Sequence, residues 1–244
     1  MMMMKSLTFC LCALLSLAGD ACAGVIVESS RVVFAGGDRE RALLLVNGND
    51  YPVVVQTWVD DGAPDGTPET AGEVPVMPLP GIFRLEPGEK KNLRLLATQA
   101  AQPADRESLY WLNVYEIPPT DARLPPSVSA LKVAVRLQLK LFYRPDGLQK
   151  KAARLAANQR FSLARQPGRL MLTVSNPTPL YATYGQAQLN GGGRQTALAI
   201  GMLAPFASKT LDVDERSIGR PESVSYMLID DDGQGVTGSA ALKP

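Results

Sequence analysis

The stretch from residue 129 to 145, SALKVAVRLQLKLFYRP, alternates in a way that an extended strand satisfies best. Its apolar residues stand at every second position: Leu131, Val133, Val135, Leu137, Leu139 and Leu141. Successive side chains of a β-strand point to opposite faces, so these residues share one face. The other face carries three cations, Lys132, Arg136 and Lys140. Ten residues of strand span about 33 Å, enough to run along a whole domain.

The rest of the chain is also typical of short strands separated by turns. Residues 51–62 and 107–119 are rich in β-branched and aromatic residues, and turn residues separate such segments throughout. Residues 148–159 hold good helix formers and predict one short helical turn. The pattern predicts an all-β fold of two antiparallel β-sandwich domains, residues 24–145 and 146–244.

Residues 1–23 have the pattern of a secretory signal peptide. An early lysine precedes an apolar core at residues 7–18, and an A-x-A cleavage pattern follows at residues 21–23. The apolar core is too short to span a bilayer comfortably. A lipoprotein signal would need a small apolar run before Cys22, and Asp20 argues against one. We therefore expect the chain to be exported to an oxidising compartment, with removal of these residues.

The three cysteines, Cys10, Cys12 and Cys22, all lie in this leader, and the sequence has no histidine. The exported chain then has no disulfide framework, and Ser-His-Asp catalysis, Cys-His catalysis and ordinary zinc sites are excluded. The 25 basic residues are balanced by 24 acidic ones, whereas a nucleic-acid binder would show a basic excess. No later stretch approaches 18 apolar residues, so we expect no membrane span.

The segment IDDDGQG, residues 229–235, is the best candidate for metal chemistry. A calcium loop needs oxygen ligands at alternate positions and a later Glu, which this segment lacks. A hairpin turn at Asp232-Gly233 is the favoured interpretation. No phosphate-loop pattern is present either. We expect no catalytic residues, no metal and no cofactor, and a carboxylate-dependent secreted enzyme is the weakest alternative.

Physical reasoning leaves two interpretations of residues 129–145 open. A strand at a sheet edge exposes backbone N–H and C=O groups that can pair with another chain. In the first interpretation the cations guard that edge and the apolar face is ordinary core. In the second, the strand adds itself to an incomplete partner sheet and its apolar side chains fill the partner's groove.

Several segments, in order along the chain, resemble the periplasmic pilus chaperone family. They are SSRVVF (29–34), YPVVVQTWVDD (51–61), FRLEPGEKKNLRL (83–95), DRESLYWLNVYEIPP (105–119), LKLFYRP (139–145) and SNPTPLYAT (175–183). The resemblance implies two immunoglobulin-like domains in an L-shaped or boomerang arrangement around a cleft. It also implies a chaperone that lends a strand to pilus subunits lacking one, and delivers them to an outer-membrane usher without ATP.

The resemblance also implies roles for individual residues. Arg31 and Lys140 match the cleft pair that binds the carboxylate at the C-terminus of a subunit. The expected donor-strand residues are Leu131, Val133 and Val135, with Leu137 as a possible extension. The expected interdomain charge network consists of Glu107, Arg144 and Asp231, and an alignment shift of one would substitute Asp230 for Asp231.

A secreted structural or adhesion module of a surface fibre is the alternative function. A fibre subunit would usually carry a disulfide and an aromatic residue near its C-terminal end, and this chain ends GSAALKP. The loop from Thr120 to Val128 is modest in length, which favours the rod-type branch of the chaperone family. An unloaded chaperone could also cover its apolar edge by pairing with a second copy.

Overall fold

The computed structural model describes residues 24–119, 133–167 and 169–242 of the protein. Within these ranges the chain forms seventeen β-strands, two short 3-10 segments and a one-turn α-helix, α1 (Glu215–Ile218). The predicted all-β, two-domain class is confirmed. The predicted leader, the loop from Thr120 to Val128 and the candidate donor residue Leu131 lie outside the described residues.

The first sandwich consists of two sheets. Its strands are β1 (Val25–Val27), β2 (Arg31–Ala35), β3 (Glu40–Asn47), β4 (Val53–Asp60), β5 (Val76–Leu79), β6 (Ile82–Leu85), β7 (Lys90–Ala97), β8 (Ser108–Ile117) and β9 (Val135–Arg144). One sheet has the order β1-β3-β7-β5 and the other β2-β9-β8-β4-β6. The segment from Val25 to Ala35 divides between the two sheets because the chain bends at residues 28–30.

The second sandwich follows two 3-10 segments, Gln149–Arg154 and Ala156–Asn158, where one helical turn was expected. Its strands are β10 (Arg160–Gln166), β11 (Arg169–Ser175), β12 (Ala182–Gly191), β13 (Arg194–Ala197), β14 (Met202–Leu203), β15 (Ser208–Asp214), β16 (Pro221–Ile229) and β17 (Gly235–Ala241). One sheet has the order β10-β11-β15, and the other has the order β13-β12-β16-β17 with β14 on β12. Asp232-Gly233 lies in the turn joining β16 to β17.

Each sandwich has a hydrophobic core of its own. Phe34, Leu93 and Leu112 are among the fully buried residues of the first core, and Leu172 and Leu189 are among those of the second. Alternating apolar residues on facing sheets build such a core, and its burial is the main stabilising term in a chain whose sandwiches contain no cysteine. The described part of the protein contains no helix long and apolar enough to cross a membrane.

Strand β9 has two differently paired halves. It pairs with β8 in the antiparallel sense from Val135 to Tyr143. On its other side it pairs with β2 in the parallel sense, but only from Lys140 to Arg144. Between Val135 and Leu139 that side has no strand partner among the described residues. Half of the long alternating stretch is therefore an open sheet edge.

Candidate functional site

Two cations lie side by side where the open edge of β9 ends. Arg31 begins β2, and its backbone is in direct register with that of Lys140. Arg31 is 8% exposed, and its Nη1 donates to the backbone oxygen of Ile229 in the second sandwich at 3.0 Å. Its Nε is buried and has no hydrogen-bond partner among the described residues. The Lys140 ammonium lies 6.0 Å from the ring centroid of Trp111.

The environment of this cation pair favours an anion. Burial lowers the pKa of Arg31, and the carboxylates of Asp230 and Asp231 act against that shift. Burial also lowers the pKa of Lys140, and the neighbouring Arg31 lowers it further. The two positive charges lie in a partly desolvated environment, and Arg31 has an N–H donor that is not used. A bound carboxylate would stabilise both cations through charge-assisted hydrogen bonds. The structure thus brings together the two residues expected to bind a terminal carboxylate.

Arg144, at the end of β9, bridges the two sandwiches. Its Nε donates to Glu107 Oε1 at 2.6 Å, and its Nη1 and Nη2 donate to the two carboxylate oxygens of Asp231 at 2.6 and 2.7 Å. Asp230 instead accepts the backbone N–H groups of Asp232 and Gln234 and so shapes the turn. Asp231, the residue expected in the charge network, is therefore the aspartate that contacts Arg144, and the alternative Asp230 is not.

Glu107 completes this bridge from the first sandwich. Its Oε2 accepts the backbone N–H of Tyr181 at 2.7 Å, and its own N–H donates to the oxygen of Pro179 at 2.9 Å. Burial raises the pKa of Glu107, and the attraction of Arg144 acts against that shift. Such a hydrogen-bonded buried ion pair fixes geometry more reliably than it adds stability. The Glu107–Arg144–Asp231 contacts therefore orient the sandwiches relative to each other.

The apolar stripe of β9 divides into a core half and an open half. Leu139 and Leu141 are buried in the first core. Leu137 is partly buried and packs against that core, whereas Val135 is 42% exposed and Val133 is 62% exposed. The core interpretation therefore holds for the inner half of the stripe, and the outer half leaves its apolar side chains exposed. Val133 and Val135 are the described candidates that a partner's groove could cover.

Sequence reasoning missed the role of Arg136, which it treated as an edge-guarding cation. The Arg136 side chain is only 19% exposed and forms an ion pair with the buried Asp60. Its guanidinium also stacks on Trp58, 4.9 Å from the ring centroid. The sequence carried one signal, the polar residues Asp60 and Asn113 within apolar strands, since buried polar groups need partners. The cluster formed by Trp58, Asp60, Asn113 and Arg136 is called the Arg136 cluster below.

Among the residues that the structure describes, no group of three or more Asp, Glu, His or Cys side chains is placed to hold a metal ion. The acidic run at residues 230–232 is used instead by the Arg144 bridge and by the turn between β16 and β17.

Comparison with protein families and known structures gives a consistent result. Residues 24–149 match the PapD N-terminal domain of pili and flagellar-assembly chaperones, and residues 156–240 match the C-terminal domain of the pili assembly chaperone PapD. The chain is 35% identical over 228 residues to the chaperone protein FimB/FhaD of Bordetella pertussis, covering 92% of this chain and 90% of the relative.

Two solved structures are similar over nearly the whole chain. The Pseudomonas aeruginosa CupB2 chaperone is 33% identical with a TM-score of 0.73, covering 89% of this chain and 100% of the other. One chain from the structure of the Salmonella enterica SafA pilin in complex with the SafB chaperone is 26% identical, with a TM-score of 0.72. The match covers 92% of this chain and 99% of the other.

Proposed function

Because this chain belongs to the family of pilus assembly chaperones, we propose how its own residues capture a pilus subunit. The protein is a fimbrial chaperone rather than an enzyme, and its family consists of periplasmic chaperones that act by donor-strand complementation. Its relatives are named chaperones, which decides against the alternative of a fibre or adhesion module.

The observation that carries the proposal is the position of the cation pair at the end of the open edge. Arg31 and Lys140 hold the terminal carboxylate of a subunit, with the unused Nε of Arg31 among the available donors. From this anchor the unpaired edge of β9 extends through Leu139 to Val135. The subunit's backbone pairs with that edge, as in other cases of strand addition.

Anchoring one end sets the register of the added strand. A slip by one residue would move every apolar side chain to the wrong face, because the side-chain period of a strand is two. Val135 and Val133 lie five and seven residues from Lys140, or about 16 and 23 Å along the strand. The fixed carboxylate thus determines which subunit pockets these side chains enter. Leu131 continues the same series, and Leu137, already packed on the core, forms its inner end.

The open half of the apolar stripe supplies the hydrophobic contribution to subunit binding. Covering each donor side chain contributes about 1.5–3 kcal/mol before ordering costs are subtracted. Those costs are substantial for any association, so the sum does not convert directly into an affinity. Specificity then arises from matching the spacing of the donor residues to the subunit's pockets.

The donor role is tested by co-expressing the chaperone with its pilus subunit and isolating the complex. We expect a one-to-one complex with the wild type and none with the Val133→Asp/Val135→Asp variant, because two carboxylates would enter an apolar groove. The fold should persist, since both side chains are exposed in the free protein. The matched control is Val54→Asp/Val236→Asp, which places the same charges at exposed valines elsewhere. Unfolding of the donor variant would instead assign these residues to the core.

Subunit affinity should fall at alkaline pH. Burial and the neighbouring Arg31 hold the pKa of free Lys140 below its ordinary value of 10.5, and a bound carboxylate would raise it. Below the free pKa, Lys140 is charged with or without the subunit, so its contribution to affinity does not change with pH. Above it, binding requires proton uptake, and affinity falls by up to about tenfold per pH unit until the pKa of the complex is passed.

Titration of affinity by calorimetry between neutral pH and pH 10.5 measures this effect. Lys140→Arg is the control, because a guanidinium stays charged throughout that range and should flatten the profile. An equally steep fall in Lys140→Arg would assign the pH dependence to another group.

We propose the remaining steps on the same family grounds. Residues 1–23 direct export and are removed, and the domains divide between residues 145 and 146, close to residue 149, where the N-terminal family match ends. The loaded chaperone delivers its subunit to an outer-membrane usher. The free chaperone covers its exposed valines by pairing with a second copy, because an open apolar edge invites association.

A further inference from the structure

Arg136 occupies the back of the donor half of β9, between the donor residue Val135 and Leu137 but on the opposite face. Its Nε donates to Asn113 Oδ1 on β8 at 2.8 Å. Its Nη2 donates to Asp60 Oδ2, at the end of β4, at 3.1 Å. One side chain therefore ties β9 to two neighbouring strands of its sheet.

The same guanidinium also binds the loop that follows β4. Nη1 donates to the backbone oxygens of Pro64 and Gly66 at 3.1 and 3.0 Å, and Nη2 is 3.5 Å from the oxygen of Ala63. Each of the five N–H groups of Arg136 thus has an acceptor within 3.5 Å. Arg31, in contrast, keeps an unused buried Nε. A saturated guanidinium has no donor left for a partner, so Arg136 acts within the chaperone rather than on a subunit.

The acceptors that hold Arg136 are themselves fixed. Asp60 is buried and also accepts Trp58 Nε1 at 2.8 Å and the backbone N–H of Gly62 at 2.9 Å. Asn113 is fully buried, and its Oδ1 also accepts Gln138 Nε2 at 3.1 Å from the same face of β9. Because the planar guanidinium of Arg136 is held by these fixed partners, it defines both the position and the rotation of β9 at this point.

The donor half of β9 needs such support. From Val135 to Leu139 it has a strand partner on one side only, and its outermost apolar residues lie in solvent. An edge segment with little burial is prone to local opening. An opened strand would have to be ordered again at the moment of binding, which lowers affinity.

We propose that Arg136 is a positioning residue for subunit capture. It holds the donor half of β9 extended, with Val133 and Val135 facing outward, before a subunit arrives. This inference rests on the proposed donor function of the strand. It also implies that the loop at residues 61–67 and the donor edge move together, because one guanidinium binds both.

The first test is the kinetics of capture of purified subunit by Arg136→Ala and Arg136→Lys. If release of the cluster leaves only a tenth of the molecules competent, association slows by about tenfold. Dissociation of the complex should change little, because the subunit's own strand then holds β9. Arg136→Lys should not restore the association rate, since a lysine ammonium cannot reproduce the planar set of hydrogen bonds that the guanidinium forms. The control is Arg84→Ala, which removes an exposed arginine paired with Glu86 on the same sheet and should capture at the wild-type rate.

The second test needs no subunit. Amide hydrogen exchange of the free protein should accelerate at least about tenfold from Val135 to Leu139 in both Arg136 variants, with core strands such as β3 unchanged. Exchange that accelerates through the whole first sandwich would show general destabilisation and overturn the proposal. So would wild-type capture rates together with unchanged exchange. A wild type that captures no subunit would overturn the proposed function, and exchange would still decide the role of Arg136.

Discussion

Replacing both Arg31 and Lys140 with alanine is expected to abolish stable capture of a pilus subunit. Each residue contributes a charge-assisted hydrogen bond to the terminal carboxylate, worth about 1.5–3 kcal/mol. Each single substitution should therefore weaken binding roughly 10- to 150-fold. The double variant also loses the register of the added strand, because the exposed valines alone do not fix it. Competition binding with purified subunit measures the loss.

The controls for this prediction separate recognition from folding. Arg39→Ala/Lys90→Ala removes two exposed cations of the same sandwich and should leave binding unchanged. Thermal unfolding of the Arg31→Ala/Lys140→Ala variant should stay near that of the wild type, because loss of the hydrogen bond from Arg31 to Ile229 is offset by relief of the repulsion between the two cations. Wild-type affinity in the double variant would contradict the carboxylate anchor.

Arg144→Ala is expected to cause the largest loss of stability among single substitutions at the site. It leaves Glu107, which is 3% exposed, as a buried carboxylate without its cation. Breaking a buried ion pair from one side costs about 3–5 kcal/mol. It also removes the bidentate contact to Asp231, so the two sandwiches should unfold less cooperatively. Chemical denaturation of the free protein, followed separately in each sandwich, measures both effects.

The pH dependence of this loss has a definite sign. Burial raises the pKa of Glu107 above its ordinary 4.5, and Arg144 opposes that shift. A carboxyl with a higher pKa in the folded state binds more protons there, so the unfolding free energy falls as pH rises through the interval between the two values. Removing Arg144 raises the folded pKa further and extends that interval upward. The difference in unfolding free energy between the wild type and Arg144→Ala should therefore become smaller as the solution is acidified.

Asp231→Ala is the comparison for this prediction. The Asp231 side chain is 42% exposed, and its removal leaves the Glu107–Arg144 pair in place. We expect a loss of about 1 kcal/mol or less, as for other exposed ion pairs. An Arg144→Ala variant no less stable than Asp231→Ala would show that Glu107 does not need its cation.

The faces of β9 could be predicted from the sequence because they follow from local geometry. A period of two places Leu137, Leu139 and Leu141 on one side, whatever the surroundings. The extent of the open edge could not be predicted, because it depends on where β2 docks. That strand begins at Arg31 and pairs only from Lys140 onward, which divides the stripe into a core half and an open half.

The contacts of the charged residues could likewise be predicted only in part. Family resemblance placed Arg31 with Lys140, and Glu107 with Arg144, across long stretches of chain. It favoured Asp231 over Asp230 and kept Asp230 as the alternative, because adjacent residues differ by one alignment step. The conformation of the turn distinguishes the two residues. Asp230 accepts hydrogen bonds from backbone N–H groups of the turn, and Asp231 accepts from Arg144.

The sequence by itself determined an all-β chain with a long two-faced strand, without histidine and without cysteine after residue 22. Only the tertiary structure decided what the cations on the back of that strand do. Arg136 is saturated by Asp60, Asn113 and a loop, whereas Lys140 lies beside Arg31 with capacity for an anion. The physical reason is that strand periodicity fixes which face a side chain is on, while its partners depend on contacts between residues distant in sequence.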